Sequence, residues 1–243
     1  MVSYVVLRET HEPGYKFEIR MIKRPPDAIE SLVKQYLADL SPAEHRKVLA
    51  RIWATAIQGP KRNPEQYGDL GDGIYEIKVG QHRLPFFYGG RGIIVLTHGF
   101  FKTKQKAPPQ QVSRARGCVI STCGASDGEV RQDMAMAPQL ETGVEYEELH
   151  PGWQNDPEFL AVLAAELFVG EICIAMEEQG VSQSELARRL GVSRQHISAF
   201  FADPGNPTLQ TIVQMAHALG LRVNLTLEPA PAPVTAEAPV AAP

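Results

Sequence analysis

The start of the chain has two short apolar-rich runs around a turn, and this pattern predicts a β-hairpin. Residues 3–9 and 16–22 are short runs of β-favouring residues, and the turn-forming segment His11-Glu12-Pro13-Gly14 lies between them. Two strand-like runs around such a segment are typical of a hairpin. Pro25 and Pro26 are expected to end the second run, since proline has no N–H for a sheet ladder.

The apolar spacing then changes to that of a helix. The residues with this spacing are Ile29, Leu32, Val33, Tyr36, Leu37 and Leu40. A second helix is predicted to begin at Ser41-Pro42 with Glu44 as the capping partner, and to end at Gly59-Pro60. Its apolar positions are Val48, Leu49, Ile52, Trp53 and Ile57.

Three strand-like runs follow the two helices, at residues 74–79, 82–88 and 93–98. They predict an antiparallel meander, so residues 1–117 are expected to form an α+β domain with two helices on that sheet. A last helix is predicted to begin at Pro108, near Arg114 and Arg116.

The second half of the chain begins with an aperiodic stretch rich in Gly, Ser, Thr and Asp, and residues 118–133 are interpreted as a linker. An acidic segment at 134–158 follows. Residues 159–228 are expected to form an all-α domain that starts with an apolar helical stripe: Phe159, Leu160, Leu163, Leu167, Phe168 and Ile172.

The end of the chain has two further patterns. Leu221, Val223, Leu225 and Leu227 alternate with polar residues, which predicts a strand with one apolar face. Because this strand has no neighbour in sequence, it is expected to pair across a homodimer. The Pro/Ala-rich tail at 229–243 is expected to be disordered.

The net charge differs strongly between the halves. Residues 1–117 hold 19 Lys and Arg against 11 Asp and Glu, a net charge of +8, whereas residues 118–180 hold one Arg and 13 acidic residues. This asymmetry favours a polyanionic target for the first domain and an acidic partner that masks it. Ordinary solvated charge is the alternative.

The cysteines and the hydropathy indicate the compartment. Cys118, Cys123 and Cys173 form no CxxC pair, and no cleavable apolar segment follows Met1. No apolar run approaches the roughly 18 residues that a membrane-spanning helix needs. A reduced cytoplasmic protein without membrane contact is therefore expected.

A helix-turn-helix is the strongest motif. Ser182 and Glu185 form a capping-box pattern, Gly191 is placed to end that helix, and a second short helix follows with Ile197 and Phe200 directed inward. A helix with a polar N-terminal edge suits the major groove, because Arg pairs with guanine and Gln with adenine.

The segments 180–187, 190–198 and 206–209 resemble the lambda-repressor-like (XRE) family, and the flanking residues 156–159 and 218–223 resemble HigA-type antitoxins. The resemblance implies a domain that binds operator DNA and represses its own promoter. Residues 181–228 have a net charge of only +1, which argues for weak binding by a monomer and for a dimer on a palindrome. The DNA contacts it implies are Gln183, Arg188, Ser193, Arg194, Gln195 and Ser198. A helical hairpin that binds only protein is the alternative.

The first domain carries a second resemblance. The run Gly73-Ile-Tyr-Glu-Ile-Lys, then His82-Arg83, then residues 97–108, resemble the phage-derived HigB branch of the RelE-like toxins. The resemblance implies metal-independent cleavage of mRNA, usually on the ribosome, without a cofactor. The RNA 2′-hydroxyl would attack the adjacent phosphorus, so the enzyme needs a base, an acid and cations near the phosphate.

Arg83 is the first candidate for phosphate stabilisation. Further candidates are Lys102, Lys104 and Lys106 for charge or proton transfer, and His98 and Tyr88 as acid or base. Tyr88 is equally consistent with a core position, and the lysines with a solvated turn. His82 and His98 have no carboxylate or Cys at ligand spacing beside them, so no metal site is expected.

Two residues depart from the toxin pattern. Thr103 stands where the family has a second Lys, and Pro85 interrupts the strand that carries Arg83. Two functions therefore remain open: a nuclease neutralised in cis by its fused antitoxin, or a transcriptional repressor with an inactive toxin-like domain.

Overall fold

The computed structural model describes residues 3–7, 10, 14–24, 28–90, 92–103, 108–123 and 145–227. The hairpin turn at 11–13, most of the predicted linker, the first part of the acidic segment and the tail at 229–243 lie outside the described residues.

The described strands form one eight-stranded sheet. They are β1 (Ser3–Leu7), β2 (Glu18–Lys23), β3 (Tyr67–Gly71), β4 (Ile74–Val79), β5 (His82–Gly90), β6 (Ile93–Leu96), β7 (Phe100–Phe101) and β8 (Glu145–Glu147). The order is β3-β4-β5-β6-β2-β1-β8, with β7 paired to β5. The predicted hairpin and the antiparallel meander β4-β5-β6 are confirmed.

The sheet is mixed, and its two parallel pairings were not predicted. β2 pairs parallel with β6, and β8 from the acidic segment pairs parallel with β1. Two parallel strands must be joined by a crossover connection, and the connection from β2 to β6 contains α1 and α2. Alternation along one strand does not encode the direction of its partner.

The helices are α1 (Leu32–Ala38), α2 (Pro42–Gln58), α3 (Pro109–Cys123), α4 (Pro157–Gln179), α5 (Gln183–Leu190), α6 (Arg194–Ala202) and α7 (Leu209–Ala218). The predicted capping box of Ser41 and Glu44 is present at the start of α2. Ile29, expected on the apolar face of the first helix, precedes α1 and is 94% exposed. Helix α3 continues past residue 117, where the linker was expected to start.

The largest core is shared by the first domain and α4. Trp53 of α2, Phe159 and Leu163 of α4, and the α2-facing side of the sheet belong to one buried cluster. A smaller cluster lies under α3 on the opposite face of the sheet, around Phe87 and Cys118. The helix-turn-helix has its own core, which begins at Val169 in the second half of α4. Helix α4 thus joins the two domains.

Two expectations concern the second half. Residues 221–227 form no strand within the single chain, and Leu225 and Leu227 are exposed. Their pairing across a homodimer stays a prediction. Helix α4 has the length and apolar composition of a membrane-spanning helix, so the prediction that no apolar run is long enough was wrong. More than half of its most apolar window is buried inside the protein, as in the core helix of a soluble domain.

Candidate functional site

Arg83 lies in β5 and points to the face of the sheet opposite α2. It is 8% exposed, and its guanidinium donates to the carbonyls of Gly80 and His82 at 2.8 and 2.7 Å. Its Nε lies 3.6 Å from the Glu76 carboxylate. Burial lowers the pKa of Arg83. The residue therefore has internal partners in place of an open phosphate site.

Lys78 extends the charged group around Arg83. It stands opposite Arg83 in the β4–β5 register, and its Nζ donates to the Pro64 carbonyl at 2.8 Å. Burial lowers the pKa of Lys78, and Arg83 and Lys102 lower it further, whereas Glu76 opposes them. Lys102 follows β7, where its backbone N–H donates to Gln81. Lys104 and Lys106 lie outside the described residues.

His98 is a buried residue with partners on both ring nitrogens. It is 1% exposed. Nδ1 lies 2.9 Å from Thr97 Oγ1 and Nε2 lies 3.0 Å from Gln111 Oε1. Burial lowers its pKa to about 4. His98 is thus neutral near pH 7 and links β6 to α3.

Tyr88 lies on the other face of β5 from Arg83, since alternate side chains of a strand point to opposite faces. Its ring packs against Phe17, Tyr75 and Phe86. Burial raises the pKa of Tyr88. A cavity of about 420 Å³ opens beside it, with Tyr67, Lys61 and Arg62 also in its walls. Tyr88 therefore does not share a face of the sheet with Arg83.

A further polar cluster escaped the sequence reading. Tyr36 Oη and His82 Nδ1 are 2.7 Å apart, and His82 Nε2 lies 3.5 Å from the Glu44 carboxylate. Burial lowers the pKa of His82 and raises that of Tyr36 to about 12. Gly99 allows the approach, because a Cβ there would lie 2.0 Å from the Tyr36 ring. The cluster ties α1, α2 and β5 together.

The contact between the first domain and α4 is the most extensive functional feature. Trp53 meets Phe159 and Trp153 edge-on, with ring centroids 5.8 and 6.2 Å apart. Gly170 lets α4 approach α2 closely, because a Cβ there would lie 1.7 Å from the Gln58 side-chain oxygen. Gln58 instead donates to the Leu167 carbonyl at 3.0 Å.

A buried ion pair lies at the centre of this contact. Arg51 of α2 and Glu166 of α4 are 1% and 4% exposed, with Nε and Oε2 2.7 Å apart. Arg51 also donates to the carbonyls of Lys78 and Ala202, and Glu166 accepts from Gln66. One guanidinium thus joins the sheet of the first domain, α4 and the end of α6.

Ion pairs at the rim strengthen the same contact. Arg46 pairs with Asp156 at 2.9 Å and with Glu158 at 2.8 Å, at the start of α4. Lys47 pairs with Asp203 at 2.6 Å, after α6. Basic groups of the first domain therefore meet acidic groups of the second half, as the charge asymmetry predicted.

The predicted DNA-reading residues gather at the start of α6. Ser193 caps this helix through its side chain, and Arg194 and Gln195 are exposed. Gln183 is the first residue of α5 and lines the same cavity as Arg194.

Arg188 and Ser198 already have protein partners. Arg188 donates twice to Glu185 on the same helix, at 2.8 and 2.7 Å. The Ser198 hydroxyl donates to Glu65 of the first domain at 2.7 Å. Ser198 was predicted to contact DNA, and its contact with Glu65 was not predicted.

Comparison with known proteins defines the class of each part. Residues 174–225 match the helix-turn-helix family, and residues 35–118 match the family described as phage derived protein Gp49-like. Together they support a toxin–antitoxin protein that carries a DNA-binding helix-turn-helix. Antitoxin HigA1 proteins from two Mycobacterium tuberculosis strains, CDC 1551 / Oshkosh and ATCC 25618 / H37Rv, are each 34% identical over 77 residues. The match covers 30% of this chain and 52% of each relative, so the chain spans about half their length.

The positions of three charged residues that the sequence analysis did not single out have a signal in the sequence. Arg51 and Glu166 are charged residues inside otherwise apolar helical stripes, and such residues are almost never fully buried unless paired. Lys78 alternates with the core residues of β4, so it had to face the opposite side of the sheet.

Proposed function

We propose that this chain is a toxin–antitoxin fusion with two activities. The first domain is a HigB-like mRNA endoribonuclease that the second half neutralises in cis. The helix-turn-helix binds operator DNA as a homodimer and represses its own promoter, in the cytoplasm. The observation that carries the proposal is the docking of α4, which continues into the helix-turn-helix, onto α2 of the Gp49-like segment through the buried Arg51–Glu166 pair.

The charged face around Arg83 is the proposed place of RNA cleavage. The 2′-oxygen bonds to phosphorus, its proton passes to a base, and the bond to the 5′-oxygen breaks as that oxygen gains a proton. Lys78, which stands opposite Arg83 in the β4–β5 register, is the candidate base, and Lys102 is the candidate acid. Arg83 holds Lys78 and the strand in position and adds positive charge near the phosphate.

Neutralisation follows from where the second half docks. Glu65, which binds Ser198 of α6, is adjacent to Pro64, whose carbonyl holds Lys78. An RNA strand that approaches Lys78 from this edge of the sheet meets α6. Because the two parts share one chain, their effective concentration is on the order of millimolar, so the masked form dominates.

The test separates the two parts without cutting the chain. In the double variant Phe159→Ala/Glu166→Gln, α4 should release α2, and expression should arrest growth and produce new RNA 5′ ends. Leu160→Ala/Glu178→Gln changes exposed positions of the same helix and should behave as wild type. Adding Lys78→Gln to the released variant should abolish the arrest.

A repressor with an inactive first domain is the second candidate. The internal hydrogen bonds of Arg83 favour it, as does the departure at Thr103. The expectation that Pro85 interrupts the strand was wrong, because β5 runs unbroken from His82 to Gly90 and Pro85 stands opposite Glu76 in it. If the first domain is inactive, the released variant binds operator DNA and leaves growth and RNA ends unchanged. Such a result would exclude the nuclease and keep the repressor.

A further inference from the structure

The first domain reaches the DNA-reading end of the helix-turn-helix. A cavity of about 450 Å³ separates the loop after α2 from the start of α5 and α6. Arg62, Asn63 and Pro64 of that loop line this cavity together with Gln183, Ser184 and Arg194. The predicted DNA contacts Gln183 and Arg194 therefore share a cleft with a loop of the Gp49-like domain.

The first domain holds α6 by its far half. Ser198 donates to Glu65, the Ala202 carbonyl accepts from Arg51 at 3.0 Å, and Asp203 pairs with Lys47. A recognition helix reads bases mainly with its N-terminal residues. Because the docked contacts lie beyond that end, Arg194 and Gln195 stay exposed while the loop stands at their flank.

Arg62 is the loop residue best placed for a phosphate. Its side chain is 87% exposed, and its Nε lies 3.2 Å from the Glu177 carboxylate. An exposed ion pair of this kind contributes little, so a DNA phosphate can replace Glu177 as the partner.

We propose that Arg62 of the Gp49-like domain contacts the DNA backbone beside the helix-turn-helix, so that the two domains form one DNA-binding surface. The inference rests on the proposed operator binding. It implies that DNA binds best while α4 and α6 are docked on the first domain. By linkage, operator DNA then also stabilises the docked, neutralised form.

The experiment uses the full-length protein and a duplex that the wild-type protein selects from a random library. Arg62→Gln is compared with Arg116→Gln on α3, which removes the cation of another exposed ion pair, the one with Asp72. We expect Arg62→Gln to weaken binding about tenfold at low salt, with unchanged sequence preference. The slope of log affinity against log salt should fall by about one per bound protomer. Ethylation interference should disappear at one backbone phosphate per half-site.

The outcomes separate this inference from the operator-binding proposal. If Arg62→Gln matches Arg116→Gln in affinity and slope while Arg194→Ala abolishes binding, the helix-turn-helix binds DNA alone and the inference is wrong. If Arg62→Gln binds more tightly than wild type, the loop obstructs DNA, which also overturns it. If the wild-type protein selects no sequence, operator binding itself fails.

Discussion

Replacing Glu166 with Gln tests the contact between the two parts most directly. The substitution keeps the size of the side chain and removes its charge. Arg51, at 1% exposure, keeps its positive charge and its bonds to the Lys78 and Ala202 carbonyls. The variant therefore leaves a buried guanidinium without a counter-ion.

The free-energy cost of leaving Arg51 without its counter-ion is large relative to the stability of a domain. Removing one partner of a buried ion pair typically costs about 3–5 kcal/mol. The Gln oxygen can still accept one hydrogen bond from Arg51, so we expect about 3 kcal/mol here. A domain is stable by about 5–15 kcal/mol, so the loss is readily measured.

Urea unfolding of the full-length protein is the assay. Trp53 and Trp153 lie in this contact, with ring centroids 6.2 Å apart, so their fluorescence reports undocking. Glu178→Gln on the exposed side of α4 is the matched control and should change the free energy of unfolding by less than about 0.5 kcal/mol. A loss below about 1 kcal/mol for Glu166→Gln would refute the view that the pair holds the two parts together.

Three further predictions concern positions around the same contacts. The hydrogen bond from Arg46 lowers the pKa of Asp156 to about 2 from 3.8, so its stabilising effect is present above about pH 4 and is lost as pH falls through 2. Asp156→Asn should therefore unfold more easily than wild type near neutral pH, and the difference should shrink and vanish as the pH falls below 2 in acid titrations followed by circular dichroism. Arg83→Ala should lower the free energy of unfolding by about 1–3 kcal/mol, because two carbonyls lose their donor, and unchanged thermal melting would contradict its structural position. Gly170→Ala should destabilise the protein, because the new methyl group displaces the Gln58 side chain. In a double-mutant cycle, Gln58→Ala should remove most of that cost. Full additivity of the two substitutions would show that the positions do not interact.

Local signals in the sequence determined much of the secondary structure. The Ser41 cap of α2, the Ser182 cap of α5 and Gly191 after α5 use hydrogen bonds or backbone angles within a few residues, so their sequence patterns suffice. Short runs of β-favouring residues bounded by turns located β4, β5 and β6 for the same reason. The helix-turn-helix was recognisable because its caps and apolar spacing are local.

Only the tertiary structure decided which elements meet and which charged groups are buried. The parallel pairs β2–β6 and β1–β8 join segments far apart in the chain, and no local pattern encodes such partners. Arg83 and Arg51 look alike in sequence as basic residues of the first domain. The fold buries Arg83 against its own strand and Arg51 against Glu166, because desolvation depends on everything packed around a group.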